Sequence, residues 1–147
     1  RRLPTLLAGL GAPDPVPLSL GLRPEPNIVT WQGNPTAENL RAATQKCDVL
    51  DVLAGFPDPL ALATYTTEAL DGPASLASLA NAAAYAGYSV VVFDVSAPEL
   101  AAAALSATNT LVLVARPDLP GVLSAVEATR LVHEVMAAMT MSLWPRS

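Results

Sequence analysis

Lysine is almost missing from this chain. Among 147 residues there is one, Lys46, and its setting removes a class of function. A phosphate-cradling P-loop needs a glycine-rich turn whose backbone amides wrap the phosphates, followed by Lys-Ser/Thr. Lys46 stands in "ATQKCD" with no glycine beside it, so these residues hold no such loop. Cys47 and His133 are equally solitary. One cysteine excludes an internal disulfide and a thiolate zinc site, and one histidine argues against a dedicated transition-metal site. Charge is thin, at 14% of residues, with a formal net charge of −5. A phosphate-backbone binder carries a basic patch, so direct nucleic-acid binding is not expected. Serine-nucleophile chemistry lacks its G-x-S-x-G elbow.

Apolar residues, by contrast, make up 52% of the chain, enough to build a core and far from a disordered composition. The length predicts a single α/β domain over residues 1–147. "GPASLASLANAAAYAGYSVVVF" (Gly72 to Phe93) carries no charge and is long enough to cross a bilayer. Its first half is small and polar, and Gly87 interrupts it before a β-branched run. It therefore reads as a helix followed by a buried strand, with no transmembrane segment. The proline-broken start, "RRLPTLLAGLGAPDPVP", does not read as a secretion signal, and a cytoplasmic location is expected.

Along the chain, prolines crowd loop-like text such as "APDPVP" and "LRPEPN". The glycines of "LLAGLGAP" read as a turn. "NIVTW" (Asn27 to Trp31) is expected as a strand, and "NPTAENLRAATQ" as a helix capped by Asn34 or Thr36. "CDVLDVLAGF" predicts a second strand, "SLASLANAAAYAG" a helix stopped at Gly87, and "SVVVFDV" a third strand. "APELAAAALSA" predicts a helix with Pro98 and Glu99 in its first turn, and "NTLVLVA" (Asn109 to Ala115) a fourth strand. "VLSAVEATRLVHEVMAAM" is the clearest helix. Leu131, Val132, Val135, Met136 and Met139 line its apolar face, and Glu127, Arg130 and Glu134 stand at salt-bridge spacing. Strands without alternation, separated by helices, predict a mainly parallel, Rossmann-like sheet near Val29, Val52, Val92 and Val112.

Ligand crevices of such sheets lie beyond the carboxyl ends of the strands. Three stretches are expected there: "AGFPDP", "DVSAPE" and "ARPDLPG". Asp94 closes the third expected strand, where a carboxylate can hold magnesium directly or through water. The plainer alternative is a capping acid that satisfies backbone N–H groups. Asp118 and Arg116 flank a loop and can pair with each other or with solvent.

The segment "YSVVVFDVSAPELAAAALSATNTLVLVARPDLPGVLSAVEATRLV" resembles the second half of MinD/ParA-type P-loop ATPases, closest to the CpaE/TadZ-like pilus-assembly branch. In that group a strand of the type "YDVVVVDLP" ends in the Walker B or switch II aspartate, and a later strand ends "V-x-x-P-D-L". "LGLRPEPNIVTW…CDVLDVLAGFPDP" is similar to the family's earlier segment. The likeness runs from roughly Leu20 to Met139. It implies a P-loop NTPase-type half, with Asp94 as the catalytic, magnesium-water ligand and Pro117 and Asp118 on a loop at the nucleotide side. It further implies ATP and Mg2+ as cofactors, a homodimer, and other proteins of a positioning or secretion system as partners of the intact parent. The family's two-lysine Walker A loop would precede Arg1, "DVSAP" replaces the usual D-x-P, and "TMSLWPRS" does not match the last strand. The 147 residues are therefore expected to be inactive alone. A receiver-like signalling domain, or a protein-interaction domain without ligand, is the alternative.

Overall fold

The computed structural model describes residues 2–142. They fall into two compact units that divide between Ala107 and Thr108. The first is an α/β layer of Rossmann-like type, in keeping with the fold class read from the sequence. Its strands are β1 (Thr5–Leu10), β2 (Gln45–Cys47), β3 (Leu50–Leu53) and β4 (Val90–Val95). Their spatial order is β2-β3-β1-β4. β1 runs parallel to both β3 and β4, and only β2 is antiparallel. Helices α1 (Val16–Ser19), α2 (Ile28–Gln32), α3 (Ala37–Ala43), α4 (Pro59–Glu68), α5 (Leu76–Tyr85) and α6 (Ala101–Ser106) belong to the same unit.

β1 organises the core. Leu6, Ala8 and Leu10 alternate along it and are wholly buried, so one face of the central strand is dry. Against them pack Ile28 and Trp31 of α2, Leu40 of α3, Tyr65 of α4, Leu76 and Leu79 of α5, and Leu100 and Ala104 around α6. Each buried leucine contributes about 1.5–3 kcal/mol relative to exposure. α5 buries Leu76, Leu79, Ala82 and Ala83, one stripe at helical spacing. Its start is capped by Ser75, which accepts from Ser78 N–H, and Gly87 beyond its end takes φ +97. The Arg41 guanidinium, from α3, donates twice to the Ala86 carbonyl at that same end, at 3.1 and 2.6 Å. The uncharged Gly72 to Phe93 stretch is thus a helix and a strand. Among the described residues no helix is long and apolar enough to cross a membrane.

Four sequence expectations are corrected. "NIVTW" is helix α2, because Asn27 builds a capping box: its side chain accepts from Val29 and Thr30 N–H, while Thr30 Oγ1 accepts from Asn27 N–H. That local bonding overrides the β preference of Ile28 and Val29. The backbone of this segment meets the sheet only at its start, where Asn27 bridges to Ala54 and Ile28 N–H donates to the Ala54 carbonyl at 2.8 Å. "CDVLDVLAGF" is not one strand. It folds back through Asp48, whose φ of 52 lies in the left-handed region, and β2 pairs with β3 across that turn. The "LLAGL" glycine read as a turn, Gly9, lies inside the central strand. "NTLVLVA" forms no strand: Leu111–Val114 are exposed and without regular structure. β propensity is realised only where a neighbour takes the ladder bonds, and that segment has none among the described residues.

The second unit contains α7 (Leu119–Ser142), the long helix expected there. Asp118 starts it, accepting from Gly121 N–H at 2.7 Å. Arg130 pairs with Glu127 and with Glu134, one turn to either side. This neighbour holds the Glu127 carboxyl below its ordinary range. Val132 and Val135 are half-buried and Leu131 and Met136 more exposed; the Met139 side chain lies outside the described residues.

Candidate functional site

The carboxyl ends of β1, β3 and β4 form one rim, because all three run the same way. Backbone hydrogen bonds tie the segments that leave it. Phe56 N–H donates to the Gly11 carbonyl at 3.0 Å, Asp14 N–H to Phe56 at 3.1 Å, and Ala97 N–H to Leu10 at 3.1 Å. Three loops, at Gly11–Asp14, Gly55–Pro57 and Ser96–Ala97, therefore meet where open α/β sheets place ligands.

Asp94 sits on this rim, one residue before the end of β4, paired in register with Gly9 of β1. Cross-strand partners point to the same face. Over Gly9 lies the carboxylate of Asp14: a Cβ added to Gly9 would fall 2.0 Å from Asp14 Oδ2. Two acids, one from β4 and one from the loop after β1, thus share one patch of the rim. Ser96 joins them, its Oγ 2.5 Å from where a Cβ on Gly11 would stand.

The two acids differ in their bonding. Asp14 accepts from Gly55 N–H at 2.8 Å and from Val16 N–H at 3.2 Å, so it ties the β3 loop to the start of α1. Gly55 must lack a side chain, since its Cβ would meet the Gly9 carbonyl oxygen at 2.5 Å. Asp94 is exposed and accepts no hydrogen bond among the described residues. The turn after it, Pro98–Leu100, has no side-chain cap, so the capping role weighed for Asp94 is not seen. Capping falls elsewhere: Asp58 accepts from Ala61 N–H at 2.8 Å at the start of α4.

Pro117 and Asp118 lie in the second unit, immediately before α7. Asp118 caps that helix and faces Arg116 Nε at 3.6 Å, the pairing that their spacing suggested. Sequence reasoning missed Asp14, Gly9 and Gly55. The available signal was "LLAGLGAPD", an apolar run whose small residue lets a later acid lie over the strand.

A second polar cluster stands at the opposite, amino end of the strands. Asp51 of β3 accepts from the Tyr88 hydroxyl at 2.5 Å and pairs with Lys46 at 2.6 Å. Burial, and then the Asp51 hydrogen bond, push the Tyr88 phenol up to about 12. Tyr65, buried beside Phe56 and donating to the Ala74 carbonyl at 3.0 Å, is pushed up to about 12 by burial. A shallow hollow of about 550 Å³ lined by Arg23, Pro24, Glu25, Pro26 and Thr30 brings no comparable set of groups together.

Magnesium and ATP find only part of a site here. No group of three or more His, Cys, Asp or Glu side chains able to hold a metal occurs among the described residues. Asp14 is engaged by two amides, which leaves Asp94 as the rim carboxylate turned to solvent. Magnesium is usually held by one or two carboxylates together with substrate phosphates, and among the described residues no lysine or glycine-rich loop stands on this rim to hold those phosphates. The residues present do not fit ATP·Mg2+ by themselves. Comparison of the chain with family models, with curated proteins and with solved structures finds no match.

Proposed function

We propose that this chain is part of a MinD/ParA/CpaE-like ATPase that positions a cellular structure (pilus, septum or partitioned DNA) and that the chain is inactive alone. One observation carries the reading. An acid without a hydrogen-bond partner among the described residues, Asp94, stands at the carboxyl edge of a parallel strand, beside a glycine of the central strand. On the family likeness, Asp94 would orient a magnesium-bound water once the missing phosphate loop supplies the nucleotide, and Pro117 and Asp118 would belong to the nucleotide-side loop. The same likeness makes ATP and Mg2+ the cofactors, and a homodimer the working form, of the parent.

The test uses Asp94→Asn in two settings. In the 147-residue chain it costs less than about 1 kcal/mol of stability, because the carboxylate accepts no hydrogen bond among the described residues. Phosphoryl transfer depends on lysine and backbone donors that neutralise developing charge, so the chain turns over no ATP with or without the substitution. In a longer protein that carries a Walker A loop ahead of these residues, the substitution cripples hydrolysis. An unchanged ATPase rate there, or turnover by the short chain that Asp94→Asn abolishes, refutes the proposal.

A second reading, a non-catalytic interaction domain, draws on Asp14. Its carboxylate covers Gly9 and satisfies the Gly55 and Val16 amides, so this part of the rim is closed by the chain's own side chain.

A further inference from the structure

The sheet has two edges of unlike character. β2, at one edge, is three residues long and carries Lys46, whose side chain is 84% exposed. Shortness and a lysine are the usual devices that blunt an edge against pairing. β4, at the other, is six residues long, and its first four are Val90, Val91, Val92 and Phe93. It has no lysine, no proline and no interruption in its register with β1. Val90 is 36% exposed, Val92 45% and Val95 37%.

The outward groups can be named. Val90 N–H donates to the Pro4 carbonyl at 3.2 Å, the ladder bond that the Thr5–Val90 register requires. By alternation Val92 and Asp94 also turn their amides to β1, and Val91, Phe93 and Val95 turn theirs away. Among the described residues those outward groups have no strand beside them.

We propose that the outer edge of β4 is a self-association surface, on which a second copy of this chain adds its own β4, antiparallel, about a two-fold axis at Val92. Faces match across a two-fold normal to the sheet only when the axis passes through a residue, so the centre of β4 allows Val92 or Phe93. Charge chooses between them. With the axis at Val92, Asp94 lies opposite the partner's Val90, and the two Asp94 carboxylates stand four residues apart, about 13 Å at the rise of a strand. With the axis at Phe93 they stand about 7 Å apart, inside the Debye length of about 8 Å. The Val92 register also sets Val91 against the partner's Phe93, a favourable β-branched–aromatic pair, with N–H···O bonds exchanged at both.

Closure follows from the unequal edges. One open edge per molecule is consumed in an isologous pair, so assembly stops at two instead of growing into a filament. A pair of six-residue strands hides less than the roughly 1,000 Å² of a stable interface. The dimer is therefore weak and concentration-dependent.

Sedimentation equilibrium of the 147-residue chain from micromolar to millimolar concentration tests this. The expected mass rises from 15.2 kDa towards twice that value and no further, and Val92→Lys holds it at the monomer. Val92 is nearly half exposed, so the lysine is compatible with folding, which far-UV circular dichroism checks. A second pair of variants is independent of that charge. In a Cys47→Ser background, Val92→Cys links two chains by a disulfide under mild oxidation, since opposed non-hydrogen-bonded residues have Cα atoms about 4.5 Å apart. Val90→Cys in the same background does not, because its two copies lie about 13 Å apart. A monomer at every concentration, a dimer indifferent to Val92→Lys, polymers beyond two, or a Val90→Cys variant that links as efficiently as Val92→Cys overturns the proposal.

Discussion

Gly9, Asp14 and Gly55 interlock tightly enough for a mutant cycle to measure it. Gly9→Ala puts a methyl 2.0 Å from Asp14 Oδ2, so the carboxylate has to leave. With it go the bonds from Gly55 N–H and Val16 N–H, and the buried Gly55 amide loses its acceptor. An unsatisfied buried donor costs about 1–3 kcal/mol. Alanine recovers about 0.5–1 kcal/mol over glycine within a strand. The lost Val16 bond adds about 0.5–1.5 kcal/mol, so the expected net loss is about 1–3.5 kcal/mol. Asp14→Ala breaks the same two bonds and costs a similar amount. In the double variant the new methyl occupies space the carboxylate has vacated, so Gly9→Ala adds little. The coupling energy is then about 1–2 kcal/mol, well above the roughly 0.5 kcal/mol scatter of independent sites. Gly55→Ala is the control. Its methyl meets the Gly9 carbonyl oxygen at 2.5 Å and Asp14 Cβ at 2.8 Å, and Asp14→Ala removes neither atom. That clash is therefore not relieved in the Asp14→Ala background, whereas the Gly9 one is. Urea unfolding followed by fluorescence reads all of these, since Trp31 is wholly buried. If Gly9→Ala and Asp14→Ala prove additive, the carboxylate does not lie over Gly9 in solution.

Two further outcomes follow from bonds away from the rim. With the phenols of Tyr65 and Tyr88 pushed up to about 12 from an ordinary 10, the folded state holds their protons longer than the unfolded chain. Their contribution to stability is complete below pH 10 and is lost as pH rises towards 12. Tyr88→Phe flattens that alkaline fall, which urea midpoints between pH 9 and 11.5 record; an unaltered slope counts against the Asp51 contact. Arg41→Ala removes two charged hydrogen bonds to the carboxyl end of α5 and is expected to cost about 1 kcal/mol, with Arg41→Lys recovering part of it. A loss no greater in Arg41→Ala than in Arg41→Lys shows that the two-point contact contributes nothing.

The fold class was legible because β3 and β4 are dense in β-branched and apolar residues, and α3, α5, α6 and α7 carry recognisable caps or periodicity. Thr36, Gly87 and the Arg130 pairs are where their spacing put them. What misled was local bonding set against composition. "NIVTW" looks like a strand until Asn27 and Thr30 close on each other, and "NTLVLVA" looks like one until the absence of a neighbour is known. β1 was hidden by Gly9, which serves as a floor for Asp14, and by Gly11 just beyond the strand. The rim acid Asp94 was visible as a strand-ending carboxylate, whereas Asp14 was not, because its partner amide comes from Gly55, far along the sequence. Hydrogen bonds between distant segments leave no periodic trace.

The central position of β1 also bears on how this chain is made. β1 is the first described strand to leave the ribosome, yet both of its neighbours are synthesised later, β3 from Leu50 and β4 from Val90. At about 5–20 residues per second, Thr5–Leu10 waits some seconds for β3 and longer still for β4. Throughout that interval an apolar strand with two open sides is in water. A nascent chain arrested anywhere before Val95 is thus a template for wrong pairing, and a holding chaperone has a defined stretch to protect.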